Sequence, residues 1–112
     1  MKLIDTDFLQ ELQEILEGEF PVLIQTYIKD TTDRLKLFKI ALQDSDAPGV
    51  YEITHSIKGA SLNLGVTVLC ELCLQVEKAA REGDLSVAER LAGDIQQAAN
   101  ATCQLLQDSY LS

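Results

Sequence analysis

Between Pro21 and Asp44, Ile24, Ile28, Thr31, Leu35, Phe38 and Leu42 recur at alternating spacings of four and three. Apart from the one threonine the stripe is apolar. That period, held over so many residues, fits a long helix with one face packed in a left-handed bundle. A strand would turn its faces over every second residue instead. A long helix with a single apolar stripe is marginal in water by itself, so the rest of the chain has to supply partners. Two further segments offer matching stripes: Leu69, Leu72, Val76 and Ala79 or Ala80, and then Ala88, Leu91, Ile95, Ala98, Thr102 and Leu105.

The breakpoints fall between these stripes. Residues 1–5 are expected to fray. Asp7 with Gln10 reads as a helix start, and Phe8, Leu9, Leu12, Ile15 and Leu16 make a short amphipathic helix that Gly18 ends. Pro21 suits the first turn of the second helix. Ser45 or Asp46 can cap a third helix, with Pro48 in its first turn and Gly65 at its end. Thr67 can cap a fourth, which Gly83 ends. Ser86-x-x-Glu89 reads as a capping box for a fifth. The expected helices cover about 7–17, 20–43, 47–64, 67–82 and 86–109 of one domain spanning residues 1–112. Short turns make consecutive helices antiparallel neighbours. The fold class is therefore all-α: an antiparallel up-down four-helix bundle with a short N-terminal capping helix. The 5% aromatic share, without tryptophan, agrees with helix rather than sheet.

Charge removes several function classes. At a net −9, the chain lacks the cations that nucleic acid or an anionic membrane surface requires. No apolar run approaches the ~20 residues of a membrane span, and the start lacks a signal-peptide pattern. A soluble cytoplasmic protein, monomeric, is expected. Three cysteines do not suggest a disulfide framework.

The single histidine, His55, lies in the third helix. At ~100° per residue, Val50, Ile53, Ile57, Ala60, Ser61 and Leu64 share a mostly apolar face centred near Ile57. His55 falls ~200° round, on the opposite face. Lys58 and Gly59 follow one turn later on that outer face. A surface histidine needs no role, and Lys58 can be ordinary solubilising charge. Gly59 is harder to set aside, since a mid-helix glycine costs roughly 1 kcal/mol relative to alanine. Close approach of another molecule is one reason for it.

Other chemistries fail on ligand count. Glu52-Ile53-Thr54-His55 has the spacing of a di-iron bundle, but such a site needs the motif twice and faces inward. No metal site is expected. Cys70-x-x-Cys73 leaves only Cys103 to complete a zinc site that needs four ligands, so buried structural thiols are the reading. A helical Lys58-Gly59 is no phosphate-binding loop. The chain has no evident cofactor and no means of using ATP, so phosphate on His55 would have to come from another protein. A neutral imidazole, with a reference pKa of about 6.5, is a competent nucleophile for that step.

The run His55-x-x-Lys58-Gly59 followed by Gly65, with Cys70, Glu77 and Arg81 in order downstream, resembles the signature of the histidine phosphotransfer (HPt) family. It looks most like the small free-standing bacterial type. The resemblance spans roughly residues 20–107 as a helical pattern and is specific over 54–84. It implies a phosphorelay intermediate of two-component signalling. His55 would take a phosphoryl group on Nε2 from a receiver-domain aspartate and pass it to the aspartate of another receiver. The implied partners are receiver domains of hybrid sensor histidine kinases and of response regulators, with Mg²⁺ on the receiver. The chain would be a carrier and not an enzyme. Glu77 matches the family position that bonds Nδ1, although a plain surface glutamate fits the spacing equally. Lys58 would neutralise phosphoryl oxygens. Arg81 matches a basic position near the family's site and Lys78 is its neighbour, while both also suit a helix end before Gly83. Gly59 would admit the phosphoaspartate loop. Tyr51 and Leu62, on the outer face with His55, would rim a docking surface. The alternative reading is a helical adaptor that binds partners without covalent chemistry.

Overall fold

The computed structural model describes residues 2–111. Five α-helices follow in order: α1 (Thr6–Leu16), α2 (Phe20–Gln43), α3 (Ala47–Asn63), α4 (Thr67–Arg81) and α5 (Ser86–Tyr110). A single 3₁₀ turn, Glu17–Glu19, joins α1 to α2. Helix α2 packs on α3 and α5, and α4 packs on α3 and α5, which closes a four-membered ring. The fold is an all-α bundle 42 Å long and about 20 Å across.

The interior is built from one stripe per helix. Ile24, Leu35 and Phe38 of α2 meet Val50 and Ile57 of α3, Leu69 and Val76 of α4, and Leu91, Ile95 and Leu106 of α5. In α2 the buried stripe runs through Tyr27 and Ala41, and Ile28 and Leu42 of the expected stripe are only half-buried. Tyr27 can enter the core because its hydroxyl is bonded, at 2.7 Å, to that of Ser61 on α3. A phenol buried there with a partner leaves no unmet polar group. In α5, Leu106 and Ala99 are buried and Leu105 is half-buried.

The helix ends differ from expectation in four places, each for a local reason. Asp5, not Asp7, caps α1 by accepting the amide of Phe8 at 3.1 Å. Glu17, at φ +50°, ends that helix before Gly18 is reached. Thr67 does not cap α4; its hydroxyl donates to the Lys2 carbonyl instead, and Val66 holds the cap position without a side-chain bond. Ser86 lies inside α5, and Asp84 accepts both its amide (2.8 Å) and its hydroxyl (2.6 Å). Asp46 caps α3 through the Gly49 amide.

Residues 2–5 are tied down rather than frayed. Asp5 donates its amide to Gly65, Thr67 donates its amide to Leu3, and Ile4 pairs with Val66 in an isolated antiparallel bridge. Ile4 is buried. The expected fraying of Met1 lies outside the described residues. The pairing seats α1 over the end of the bundle where α3 turns into α4. Gly65 makes that turn at φ +67°, and a Cβ there would stand 3.0 Å from Phe8 and 3.2 Å from Asp5. Both the backbone angle and the packing of α1 therefore demand glycine.

Candidate functional site

Helix α3 buries Val50, Thr54, Ile57 and Ser61. His55 stands on its far side, its side chain 58% exposed. The tight turn at Gly65 lays α4 antiparallel beside α3, which brings Glu77 level with His55. Nδ1 of His55 lies 2.7 Å from Oε1 of Glu77. The other oxygen, Oε2, lies 2.7 Å from Nζ of Lys58. Glu77 is no surface residue: it is only 6% exposed.

The chemistry follows from those contacts. Burial pushes the Glu77 carboxyl up, but the hydrogen bonds and charges of Lys58 and His55 outweigh it and hold its pKa below the ordinary value. The group is ionised at neutral pH. A carboxylate can only accept, so Nδ1 of His55 carries the proton toward it. In a neutral ring the lone pair then sits on Nε2. No hydrogen bond from the described residues reaches that nitrogen. The result is a fixed tautomer with its nucleophilic atom free, the same division of labour as a carboxylate-held histidine in a hydrolase triad.

Lys58 is not a free surface cation. Its side chain is 20% exposed and lies against Glu77. Gly59, one turn from His55, has nothing within 4 Å of where a Cβ would stand. Its own chain therefore does not need the missing side chain, and the space above the helix is open. Lys78 is exposed and borders a hollow with Lys58, Glu77, Arg81 and Glu82. Leu62 is 61% exposed and borders a second hollow with Cys70 at the start of α4.

Arg81 lies beside the site, in the hollow with Lys58, Glu77 and Lys78, and Tyr51 differs from expectation. Tyr51 is half-buried, and its ring stacks on that of His55, centroids 5.9 Å and planes 22° apart. Arg81 donates to the Tyr51 hydroxyl at 3.1 Å, its guanidinium 5.4 Å from the ring centroid. Sequence spacing placed Tyr51 on the outer face but gave no sign of the stack, which needs side-chain torsions. Leu37 and Ile40 on α2 are exposed and carry no sequence signal, because a lone exposed apolar residue is ordinary.

The cysteines form no second site. All three are free thiols, and burial pushes Cys73 up to about 12. Among the described residues, no cluster of histidine, cysteine and carboxylates is placed to hold a metal.

Residues 22–108, most of the chain, match the Hpt domain family. The chain is an Hpt domain protein. Its fold superposes on the crystal structure of histidine-containing phosphotransfer protein B (HptB) from Pseudomonas aeruginosa PAO1 with a TM-score of 0.91. The two are 34% identical, over 95% of this chain and 92% of that one. The phosphorelay protein LuxU of two Vibrio vulnificus strains is 25% identical over 85 residues, covering 75% of this chain and 74% of LuxU. As an Hpt protein the chain is a phosphotransfer intermediate of two-component signalling. Hpt proteins carry phosphoryl groups and are not catalysts of the transfer. No described helix is long and apolar enough to cross a membrane.

Proposed function

We propose that His55 is the phosphoryl-carrying residue of this Hpt domain, with Glu77 and Lys58 as the groups that hold it ready. The observation that supports it is the Nδ1–Glu77 bond at 2.7 Å on an exposed ring, which leaves Nε2 as the free nucleophile. A receiver domain bearing phosphoaspartate docks over Gly59. Nε2 attacks phosphorus in line, the acyl P–O bond breaks, and its electron pair leaves on the receiver's aspartate. The proton stays on Nδ1, so the phosphorylated ring is cationic and Glu77 stabilises it. Transfer to a second receiver reverses these steps.

The docking receivers belong to hybrid sensor kinases and response regulators, and they bring the Mg²⁺ that neutralises the transferring group. The Hpt domain adds a positioned nucleophile and local positive charge. Lys58 is within one turn of the ring and can exchange one anionic partner for another, while Lys78 and Arg81 add cations to the same hollow. Leu62 is exposed docking surface. We place the carrier in the cytoplasm, acting as a monomer, with no ATP site or cofactor of its own.

Mixing the protein with a receiver charged by acetyl phosphate and a labelled phosphoryl group tests the reading. The wild type should acquire acid-labile, base-stable label, and His55→Gln should acquire none while keeping its helical circular dichroism. Equal labelling of the two would refute the assignment of His55.

A further inference from the structure

A side chain on a helix turns about two torsions, and one hydrogen bond does not fix both. The Glu77 contact holds Nδ1 of His55 at 2.7 Å. The imidazole can still swing about the line joining those atoms, because the side chain is largely open to solvent. A contact on the face of the ring would stop the swing, and Tyr51 makes one. Its ring lies one turn earlier on α3, nearly parallel to the imidazole at a centroid separation of 5.9 Å. Near-parallel rings at that separation are offset, a favoured arrangement for aromatic pairs. The in-plane bond sets where the ring points, and the stack sets its plane.

Tyr51 is itself held from the neighbouring helix. Arg81 donates to its hydroxyl at 3.1 Å and lies 5.4 Å from its centroid. Tyr51 precedes His55 by four residues and Arg81 follows Glu77 by four. The pair Tyr51–Arg81 thus sits one turn beyond the pair His55–Glu77 in the same antiparallel register. Two cross-helix pairs, layered along the α3–α4 seam, hold the imidazole by a carboxylate at Nδ1 and an aromatic ring on one face.

We propose that Tyr51 is a positioning residue for phosphoryl transfer: its ring, held by Arg81, fixes the plane of His55 so that Nε2 meets the incoming phosphorus in line. The inference rests on the assignment of His55 as acceptor. The lone pair of Nε2 lies in the ring plane, and a tilt of about 10–20° is enough to spoil a productive geometry. The step is the one already described: the P–O bond to the receiver aspartate breaks as the P–Nε2 bond forms, and the Nδ1 proton stays in place.

The test uses a receiver that, charged with acetyl phosphate, labels the wild-type protein. Single-turnover transfer is measured against receiver concentration for Tyr51→Leu, Tyr51→Phe and Arg81→Gln. Tyr51→Leu keeps apolar bulk for docking but removes the stack, and its saturated rate should fall roughly 2- to 10-fold. Tyr51→Phe keeps the stack and should restore most of that rate. In proton spectra, stacking should shift the His55 Cδ2 and Cε1 protons. The shift should vanish in Tyr51→Leu, persist in Tyr51→Phe and shrink in Arg81→Gln, whose exposed side chain can change without touching the core. A wild-type saturated rate in Tyr51→Leu, a change confined to the half-saturating concentration, or an unaltered His55 shift would each overturn the proposal. Should Tyr51→Leu not fold, an Arg81→Gln spectrum identical to wild type would overturn the part given to Arg81, and loss of the saturated rate in folded Tyr51→Phe would overturn stacking as the cause. Failure of any receiver to label the wild type would instead fall on His55 itself.

Discussion

A carboxylate as enclosed as Glu77 resists ionisation unless a cation and a hydrogen-bond donor reach it, and here the Lys58 ammonium and the His55 Nδ1–H do. Its folded pKa lies below the ordinary 4.5, so as the pH falls the unfolded chain binds the proton first. The stability contributed by Glu77 is complete above pH 4.5 and is lost as the pH drops through 4.5 toward the lower folded value. Melting curves should therefore show the gap between wild type and Glu77→Gln narrowing on the acid side of 4.5; a gap independent of pH would mean the carboxylate is not held ionised. Gly59 separates stability from function in the other direction. Alanine has room there, so Gly59→Ala should stabilise the helix by up to about 1 kcal/mol, while a larger Gly59→Leu should slow transfer from a receiver without unfolding the protein. Labelling and melting of the same preparations check both. His55, Lys58 and Gly59 were legible in sequence because helical periodicity alone puts them on one outer face. The burial of Glu77, the grip of Lys58 on it and the Tyr51 stack were not, because each depends on the register between two helices and on torsions that spacing does not encode.

At the scale of the elements, the stripes and turns were readable because apolar period and glycine are strong local signals. The caps were less so. Asp84 and Ser86 both suit a helix start, and only the fold shows that the aspartate accepts the serine's amide and hydroxyl. Tyr27 escaped the apolar count because its burial requires Ser61 on another helix. Burial pushes the Tyr27 phenol up to about 12, against the hydrogen bond with Ser61 that lowers it. Above pH 10 the unfolded chain loses this proton first, so stability should decline as the pH rises from 10 toward 12. Tyr27→Phe should lack that part of the decline in alkaline melts; an identical alkaline limb would show that the phenol is not the group responsible. The α3–α4 turn is stricter. Gly65→Ala puts a side chain at φ +67° and against Phe8 and Asp5, and it should destabilise by at least about 1–2 kcal/mol, read as a lower Tm.

Across the whole molecule, the bundle keeps α3 and α4 in the register that joins His55 to Glu77. The segment from Lys2 to Asp5 reinforces it by bonding to both sides of the Gly65 turn. Ile4→Ala should therefore cost about 2 kcal/mol or more, even though the residue lies next to a terminus that sequence alone assigns to fraying. On the proposed reading the rest of the apparatus belongs to the partner, and a chain with a net charge of −9 then needs only a local cluster of cations at its site. The most direct measurement is nitrogen-15 resonance of His55 before and after phosphorylation by a charged receiver. The expected spectrum shows a neutral ring protonated on Nδ1, then a phosphorus coupling on Nε2 with the Nδ1 proton retained. A ring protonated on Nε2, a phosphoryl group on Nδ1, or no phosphohistidine at all would contradict it.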